Sequence, residues 1–332
     1  MEKSSVPAGT GVEAAPDSFG ELQQCLRKLE EGLRRVIRGN GEAVHMALVA
    51  LLSHGHLLIE DVPGVGKTTL AHALARSLNC EFHRVQFTSD LLPSDVIGTS
   101  VYNQHRESFD FKPGPVFANI LLADEINRTT PKTQSALLEA MNERQVTVDN
   151  CTYPLPDPFM VIATQNPVEH HGTYPLPESQ LDRFLMRIRM GYPGREGEKE
   201  ILQRSQVRDG VESMEPVATA DQVRQMQDAV CRVAVEEPLI NYMLAIVGKT
   251  REHENLALGV SPRGSQALYR AAQALAFLEG RRYCIPDDFK RLATSVCAHR
   301  VVVSTRYATT LKKSEQGEAV VREILESTEV PL

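Results

Sequence analysis

Apolar and polar positions follow a helical rhythm at the start of this 332-residue chain. Leu22, Leu26, Leu29 and Leu33 recur at the helical period with charged residues between them, which predicts an amphipathic helix over residues 19–38. Gly39 to Gly41 interrupts this pattern. A second, more apolar helix is predicted over residues 42–53.

Strand-length apolar runs then alternate with helix-compatible stretches. The runs end in polar residues, as buried parallel strands do, and cover residues 56–60, 85–88, 118–123 and 159–164. Strands alternating with helices predict a mostly parallel sheet covered by helices on both faces. In such sheets functional residues collect at the carboxyl ends of the strands. Two hairpin-like segments, residues 100–115 and 145–153, are interpreted as insertions on this fold.

The character of the chain changes after Gly191, where a short linker leads into almost entirely helical sequence. The predicted helices cover residues 196–206, 219–233, 239–252, 262–279 and 286–299. The predicted fold class is therefore α/β, with a mostly parallel sheet flanked by helices and followed by a small all-α domain. The predicted boundaries are a flexible arm at residues 1–18, an α/β core at 19–191 and a helical domain at 192–332.

Composition narrows the functional classes. Hydrophobic residues make up 42% and charged residues 24% of the chain, as in an ordinary globular protein. The formal charge of −7 gives no global attraction for nucleic acid or an anionic membrane, so a nucleic-acid partner is not expected. No apolar run is long enough to span a bilayer, and the N-terminus lacks a signal peptide's apolar centre. Six well-separated cysteines favour buried, reduced thiols and a cytoplasmic protein.

The strongest chemical signal is a glycine-rich loop between a predicted strand and a predicted helix. Its seven residues are Pro63, Gly64, Val65, Gly66, Lys67, Thr68 and Thr69. Backbone N–H groups of such a loop wrap a polyphosphate, the lysine reaches the β- and γ-phosphates, and the first threonine is suited to bind Mg²⁺. The strict pattern asks for glycine five positions before Gly66, where this chain has Asp61.

Polar residues follow two further predicted strands. The first run ends in Asp124 and Glu125, suited to hold Mg²⁺ and to activate the water that attacks a γ-phosphate. The second is followed by Asn166, whose amide is suited to hold that water. Taken alone, the acids equally suit a helix cap, and Asn166 suits a turn before Pro167.

Several ordered motifs together resemble the MoxR-type AAA+ ATPases. They are VPGVGKTT, FTSDLLPSDVIG, ILLADEINRTTPKTQSALLEAMNERQ, ATQNP, YPLPESQLDRF and GVSPRG, spread over roughly residues 38–300. The resemblance implies an AAA+ core with a helical lid, cofactors ATP and Mg²⁺, and a homo-oligomeric ring, usually of six subunits. It also implies chaperone-like work on a client complex, often with a von Willebrand factor A domain partner.

The same resemblance assigns site residues. Lys67 and Thr68 fall in Walker A, Asp124 and Glu125 in Walker B, Asn166 at sensor 1, Arg183 at the arginine finger and Arg263 at sensor 2. Physically, a guanidinium stabilises the charge of a transferring phosphoryl group better than an ammonium does. The alternatives remain open: Arg183 also suits a salt bridge with Asp182 or Glu178, and Arg187 and Arg189 compete for its role.

The predicted function is ATP hydrolysis that drives ring-based remodelling or maturation of partner complexes. One alternative is a DNA-remodelling motor, which the net charge disfavours. Another is a nucleotide-gated scaffold with little work done by turnover. Val101, Tyr102, Phe109 and Phe111 of the first hairpin are candidate client contacts, although packing on their own domain is equally expected. Residues 39–41 differ from the Gly-Gln pattern of many members, which leaves the adenine contacts open.

Overall fold

The computed structural model describes residues 18–167, 173–204, 210–304 and 313–331. The arm predicted at residues 1–18 lies outside this part of the chain, apart from Ser18. At the centre is a five-stranded sheet in which all neighbouring strands are parallel. In spatial order its strands are β2 (Phe82–Gln86), β5 (Ile120–Asp124), β8 (Met160–Gln165), β1 (Leu57–Glu60) and β9 (Met186–Ile188).

Alternate residues of the central strands enter two apolar cores, one on each face of the sheet. Ile162 of β8 lies in one core, whereas its neighbour Val161 lies in the other. Leu122 and Leu121 of β5 divide in the same way. Side chains of successive strand residues point to opposite faces, so a continuous apolar run is needed where both faces are covered. The predicted α/β class is confirmed.

Helices cover both faces. Those of the first half of the chain are α1 (Ser18–Val36), α2 (Gly41–Leu52), α3 (Lys67–Ser77), α4 (Pro93–Ile97), α5 (Pro131–Glu143) and α6 (Glu178–Leu181). The two predicted insertions form separate antiparallel hairpins: β3 (Gly98–Asn103) with β4 (Ser108–Pro113), and β6 (Gln145–Val148) with β7 (Cys151–Pro154).

The second half is helical, with one small two-stranded sheet. Its helices are α7 (Arg195–Arg204), α8 (Ala220–Val230), α9 (Glu237–Glu252), α10 (Pro262–Leu278), α11 (Pro286–Cys297) and α12 (Lys313–Glu326). The sheet pairs β10 (Leu256–Leu258) with β11 (Val302–Val303). These helices share an apolar core with α1 and α2: Phe277 and Leu48 are fully buried in one cluster. Gln227 of α8 also donates to the carbonyl of Leu51 in α2 at 2.7 Å.

Some local predictions were wrong. The edge strand β9 was missed because it is only three residues long and one of them is Arg187. Strand β2 begins three residues earlier than its apolar run because pairing with β5 sets its bounds. The cysteines are free, but only Cys284 and Cys297 are fully buried, while Cys151 and Cys231 are exposed. Among the described residues, no helix is both long and apolar enough to cross a membrane.

Candidate active site

The glycine-rich loop joins the carboxyl end of β1 to the start of α3. Gly64 and Gly66 have φ angles of +86° and +97°, a left-handed backbone region that side chains rarely adopt. Gly66 is also the N-cap of α3. The first N–H groups of a helix have no acceptor within the helix, so the loop and the first turn of α3 together present donors suited to a phosphate.

Lys67 lies at the start of α3 and points back along the loop. Its Nζ donates to the backbone carbonyl of Asp61 at 2.6 Å. Burial lowers the pKa of the Lys67 ammonium, while the nearby carboxylates of Asp124, Asp61 and Glu125 act in the opposite direction. Lys67 therefore lies beside the acids at the carboxyl end of β5, Asp124 and Glu125.

Asp61, the departure from the strict loop pattern, has a structural role. Its buried carboxylate accepts from the N–H of Val62 at 2.8 Å and, through its other oxygen, from those of Met190 and Gly191 at 2.7 and 2.6 Å. These three backbone donors satisfy the buried carboxylate of Asp61. Asp61 thus ties the start of the phosphate loop to the chain that leaves β9.

Asp124 ends β5 beside the loop. One carboxylate oxygen accepts from the hydroxyl of Thr164 at 2.6 Å. The other pairs with Arg84 of β2 at 2.6 Å. Thr164 also accepts from the N–H of Glu125 at 2.9 Å, which fixes the two acids relative to β8.

Glu125 follows in a left-handed conformation with a φ of +57°. Its carboxylate accepts from Gln86 at 2.6 Å and from Arg128 at 2.8 Å. Arg128 therefore forms an ion pair within its own chain. Arg84 and Gln86 were not predicted; their spacing of two along β2 is the sequence signal that puts both on one face of that strand, next to β5.

Thr68 and Asn166 complete this edge of the sheet. Thr68 is half-buried in the first turn of α3, and the nearly buried Asn166 follows β8 directly. Among the described residues, no three His, Cys, Asp or Glu side chains cluster as a metal site. Thr68 and Asp124 nevertheless fit Mg²⁺, which binds proteins through few oxygen ligands and takes the others from phosphates and water.

A basic cavity of about 300 Å³ lies at the other edge of the sheet. Its lining includes residues 53–56, which precede β1, and residues 182, 183 and 185, which precede β9. Because both strands run from this edge to the phosphate loop, the cavity and Lys67 are separated by the length of β1, on the order of 15 Å. The cationic residues of the lining are Arg144, Arg183, Arg263, Arg270 and Arg300.

Arg183 and Arg263, both predicted site residues, are brought together in this cavity and away from Lys67 and Asp124. Asp182, the expected partner of Arg183, instead pairs with Arg300 at 2.8 Å. Arg263 donates to the amide oxygen of Asn142. In the described part of the chain neither Arg183 nor Arg263 forms an ion pair with a carboxylate. Arg144, Arg270 and Arg300 were missed because no local motif marks them.

The competing arginines in and directly after β9 have structural partners. Arg187 contacts Glu60 at 3.3 Å and Glu318 at 3.1 Å, and Arg189 contacts Glu318 at 3.1 Å. These pairs join the end of β1 to α12. The arrangement favours Arg183 over Arg187 and Arg189 as the arginine available to another molecule.

The segment with the altered Gly-Gln pattern contacts the same region as Asp61. When its amide nitrogen faces them, the Asn40 side chain donates to the carbonyls of Met190 and Gly39 at 2.9 and 3.1 Å. Asn40 therefore fixes the chain after β9 from the other side.

The aromatic residues of the first hairpin divide into two groups. Phe111 stacks on Tyr153 of the second hairpin with ring centroids 4.0 Å apart, so it packs on its own domain. Tyr102 and Phe109 pair near the turn at 5.3 Å and are 51% and 71% exposed. Val101, the fourth candidate, is 38% exposed. Val101, Tyr102 and Phe109 are therefore accessible to another molecule, whereas Phe111 is half-buried.

Comparison with known proteins places these features in a family. Residues 56–186 match the model of the ATPase family associated with various cellular activities, and residues 248–324 match an AAA lid domain. The YeaC protein of Bacillus subtilis (strain 168) is 50% identical, over 94% of this chain and 97% of its own. Chaperone MoxR1 of Mycobacterium tuberculosis (strain ATCC 25618 / H37Rv) is 42% identical, over 98% and 88%. A crystal structure from Cytophaga hutchinsonii ATCC 33406 superimposes with a TM-score of 0.87 at 37% identity, covering 95% of this chain and 98% of that one.

Proposed function

Because the chain belongs to the MoxR-type AAA+ ATPases, we propose that it hydrolyses ATP in a closed ring of its own copies in the cytoplasm and remodels or matures partner protein complexes. One observation carries this proposal. The phosphate loop lies at one edge of the sheet, and the arginines suited to a γ-phosphate lie at the other. A single subunit therefore cannot bring both to one nucleotide.

Within one subunit, the carboxyl edge binds the nucleotide. The loop Pro63 to Thr69 wraps the phosphates, with Lys67 exchanging the carbonyl of Asp61 for phosphate oxygens. Thr68 and Asp124 hold Mg²⁺, which neutralises charge on those oxygens when bound. Glu125 accepts a proton from the attacking water, and Asn166 orients that water.

The neighbouring subunit supplies the positive charge. Arg183 and Arg263 of its basic cavity contact the γ-phosphate, where negative charge develops in the transition state. Heterologous contacts of this kind, in which each subunit presents two different surfaces, form a ring when the rotation between neighbouring subunits closes. We propose six subunits, as in the family.

The first hairpin is proposed as the client contact through Tyr102 and Phe109. A protein bearing a von Willebrand factor A domain is the proposed partner. The hairpin carries Glu107 and Asp110 as well as Arg106 and Lys112, so it offers no continuous basic stripe for DNA.

Mixed rings test the proposal. Arg183→Ala keeps its own phosphate site but gives its neighbour no finger, whereas Glu125→Gln has a disabled site but an intact finger. Each variant alone should be nearly inactive, and a one-to-one mixture should recover turnover at roughly a quarter of its interfaces under random mixing. The matched control mixes either single variant with the double variant Glu125→Gln/Arg183→Ala. No interface in these rings combines an intact Glu125 with an intact Arg183, so no turnover should be recovered.

If the first mixture recovers no turnover although light scattering shows that rings have formed, catalysis between subunits is contradicted.

Client binding is tested separately, by affinity capture with the Glu125→Gln protein and ATP. The control is the triple variant Glu125→Gln/Tyr102→Ala/Phe109→Ala. Salt-dependent DNA binding with stimulated turnover would favour the DNA motor instead. Full support of a partner's activity by Glu125→Gln would favour the scaffold.

A further inference from the structure

Arg300 is a buried cation with no role in the proposed chemistry. It follows α11, is 5% exposed and lines the base of the basic cavity. A buried charge is costly unless it is paired and fully hydrogen-bonded. Arg300 lies on the helical side of the molecule, against the segment before β9. We therefore expect the burial of its charge to have a specific role.

All five N–H donors of Arg300 have protein acceptors. Nε donates to the carboxylate of Asp182 at 2.8 Å. Nη2 donates to the carbonyls of Asp182 and Phe184 at 3.3 and 2.6 Å. Nη1 donates to the carbonyls of Leu185, at 2.9 Å, and Val296. Since a guanidinium has five donors, none remains for a bound anion, and Arg300 does not itself contact phosphate.

Four of these acceptors belong to residues 182–185, the segment that contains Arg183. Arg300 therefore holds the backbone on both sides of Arg183 without using its side chain. The contacts join positions more than a hundred residues apart in sequence: Arg300 and Asp182 are separated by 118 positions.

The same pair contacts the helix that carries Arg263. Ser261, the N-cap of α10, places its hydroxyl 3.4 Å from the Asp182 carboxylate. A Cβ at Gly264 would lie 3.0 Å from Cδ of Arg300, so the first turn of α10 packs closely on the Arg300 stem. Arg263 lies between these two contacts in sequence.

Charge distribution points the same way. Asp182 is the only carboxylate among the described residues that line the cavity. Because the Asp182 carboxylate already pairs with Arg300, it does not neutralise the charges of Arg183 and Arg263.

From these contacts we infer that Arg300 is a positioning residue, which with Asp182 fixes Arg183 and Arg263 relative to each other so that both reach the neighbouring subunit's γ-phosphate together. This inference rests on the proposed function, because it assumes that the two arginines act between subunits. Arg300 acts through the backbone of the finger segment and the first turn of α10.

Two substitutions test it. Asp182→Asn keeps an acceptor for Nε but removes the charge, and is expected to lower kcat for ATP about tenfold. In Arg300→Lys, the single ammonium cannot bond to all the acceptors that surround the guanidinium, so kcat is expected to fall further. Neither should change the affinity of the subunit's own site for nucleotide, because that site lies at the other edge of the sheet. Asp221→Asn is the matched control, since it alters an exposed Asp–Arg pair on α8 and should leave kcat unchanged.

Non-additivity separates positioning from general stability. In an Arg183→Ala/Arg263→Ala background, Asp182→Asn should have no further effect on kcat, since nothing remains to be positioned. In mixed rings with Glu125→Gln, Asp182→Asn subunits should recover turnover, because the neighbour supplies an intact arginine pair. If Arg300→Lys fails to fold, Asp182→Asn alone decides the inference.

The outcomes distinguish the two proposals. If Arg183→Ala is rescued by Glu125→Gln in mixed rings but Asp182→Asn leaves kcat unchanged, the role of Arg300 is wrong and the proposed function stands. If Asp182→Asn weakens nucleotide affinity as much as it lowers kcat, its effect is general and the inference also fails. If Arg183→Ala is not rescued, catalysis between subunits itself is wrong.

Discussion

The two edges of the central sheet differ in how their charges are arranged. At the carboxyl edge, Asp124 and Glu125 are each held by side chains of the same subunit. At the amino edge, Arg183 and Arg263 have no carboxylate partner within the described residues. The acids at the carboxyl edge are thus paired within the subunit, whereas the two arginines at the amino edge have no carboxylate partner there. We expect this contrast where one site is divided between two molecules.

The energetics support this comparison. Several cations around one cavity repel one another, which lowers the stability of the isolated subunit. Such an arrangement is expected where a negatively charged group enters the cavity. In the proposed ring, the γ-phosphate of ATP bound to the neighbouring subunit's loop is such a group.

The largest expected effect comes from removing Arg183, the proposed arginine finger. Arg183→Ala should lower kcat about a thousandfold, within the range for arginine fingers, while leaving the affinity for ATP unchanged because the residue is remote from its own loop. Steady-state turnover together with equilibrium nucleotide binding checks this. Weaker ATP binding by the isolated subunit would show that Arg183 serves its own site.

Lys67→Ala should affect binding instead. Loss of a charged donor to phosphate costs about 2–3 kcal/mol, which corresponds to roughly a hundredfold weaker ATP binding. Titration with a fluorescent ATP analogue measures this, with Lys28→Ala on α1 as a surface control. Unchanged affinity and turnover would remove the basis for a nucleotide site at this edge.

Folding stability should depend on pH through His56, at the edge of the sheet that carries the basic cavity. Val161 N–H donates to Nδ1 of His56 at 2.9 Å, so Nε2 carries the proton and donates to the carbonyl of Met141 at 3.0 Å. Burial lowers the pKa of His56 to about 4, and the charges of Arg144 and Arg263 add to this effect. The unfolded chain therefore takes up a proton between about pH 6.5 and 4 that the folded chain does not, and stability falls as the pH decreases through this interval.

At pH 5 this loss is about 2 kcal/mol. Urea unfolding at pH 7.5 and pH 5 should show a correspondingly smaller difference in the His56→Gln variant than in the original chain. His105→Gln, in the turn of the first hairpin, should retain the full difference. If the stability difference between pH 7.5 and pH 5 is the same in all three proteins, His56 is not the source of the pH dependence.

The smallest effect is expected at the acid network. Arg84 pairs with the Asp124 carboxylate and is half-exposed, so it competes weakly with Mg²⁺. Arg84→Ala should lower the Mg²⁺ concentration for half-maximal turnover by a few-fold, as expected for a pair contributing less than about 1 kcal/mol. Arg34→Ala removes an exposed pair with Glu30 on α1 and serves as the control; a higher Mg²⁺ requirement in Arg84→Ala would indicate that Arg84 helps to form the metal site.

The carboxyl edge could be predicted from the sequence because its chemistry is local. Lys67 and Thr68 lie in one loop, and Asp124, Glu125 and Asn166 each follow a buried apolar run, so the rule that parallel strands end at one edge was sufficient to group them. Their roles stay predictions. The cavity could not be predicted in this way, because Arg183, Arg263 and Arg300 meet only after the helical half docks beside β9. Asp182 was a plausible partner for its neighbour Arg183 by sequence distance, yet Arg300 takes that place.

The apolar cluster shared by α2, α8 and α10 restricts how the helical half can respond to nucleotide. A freely swinging flap would have to expose Phe277 and Leu48 to water and break the bond from Gln227 to Leu51. Packed helices instead move by small sliding displacements. In the proposed ring, nucleotide state is therefore expected to pass between neighbours as small sliding movements at subunit boundaries, with each protomer moving largely as a unit.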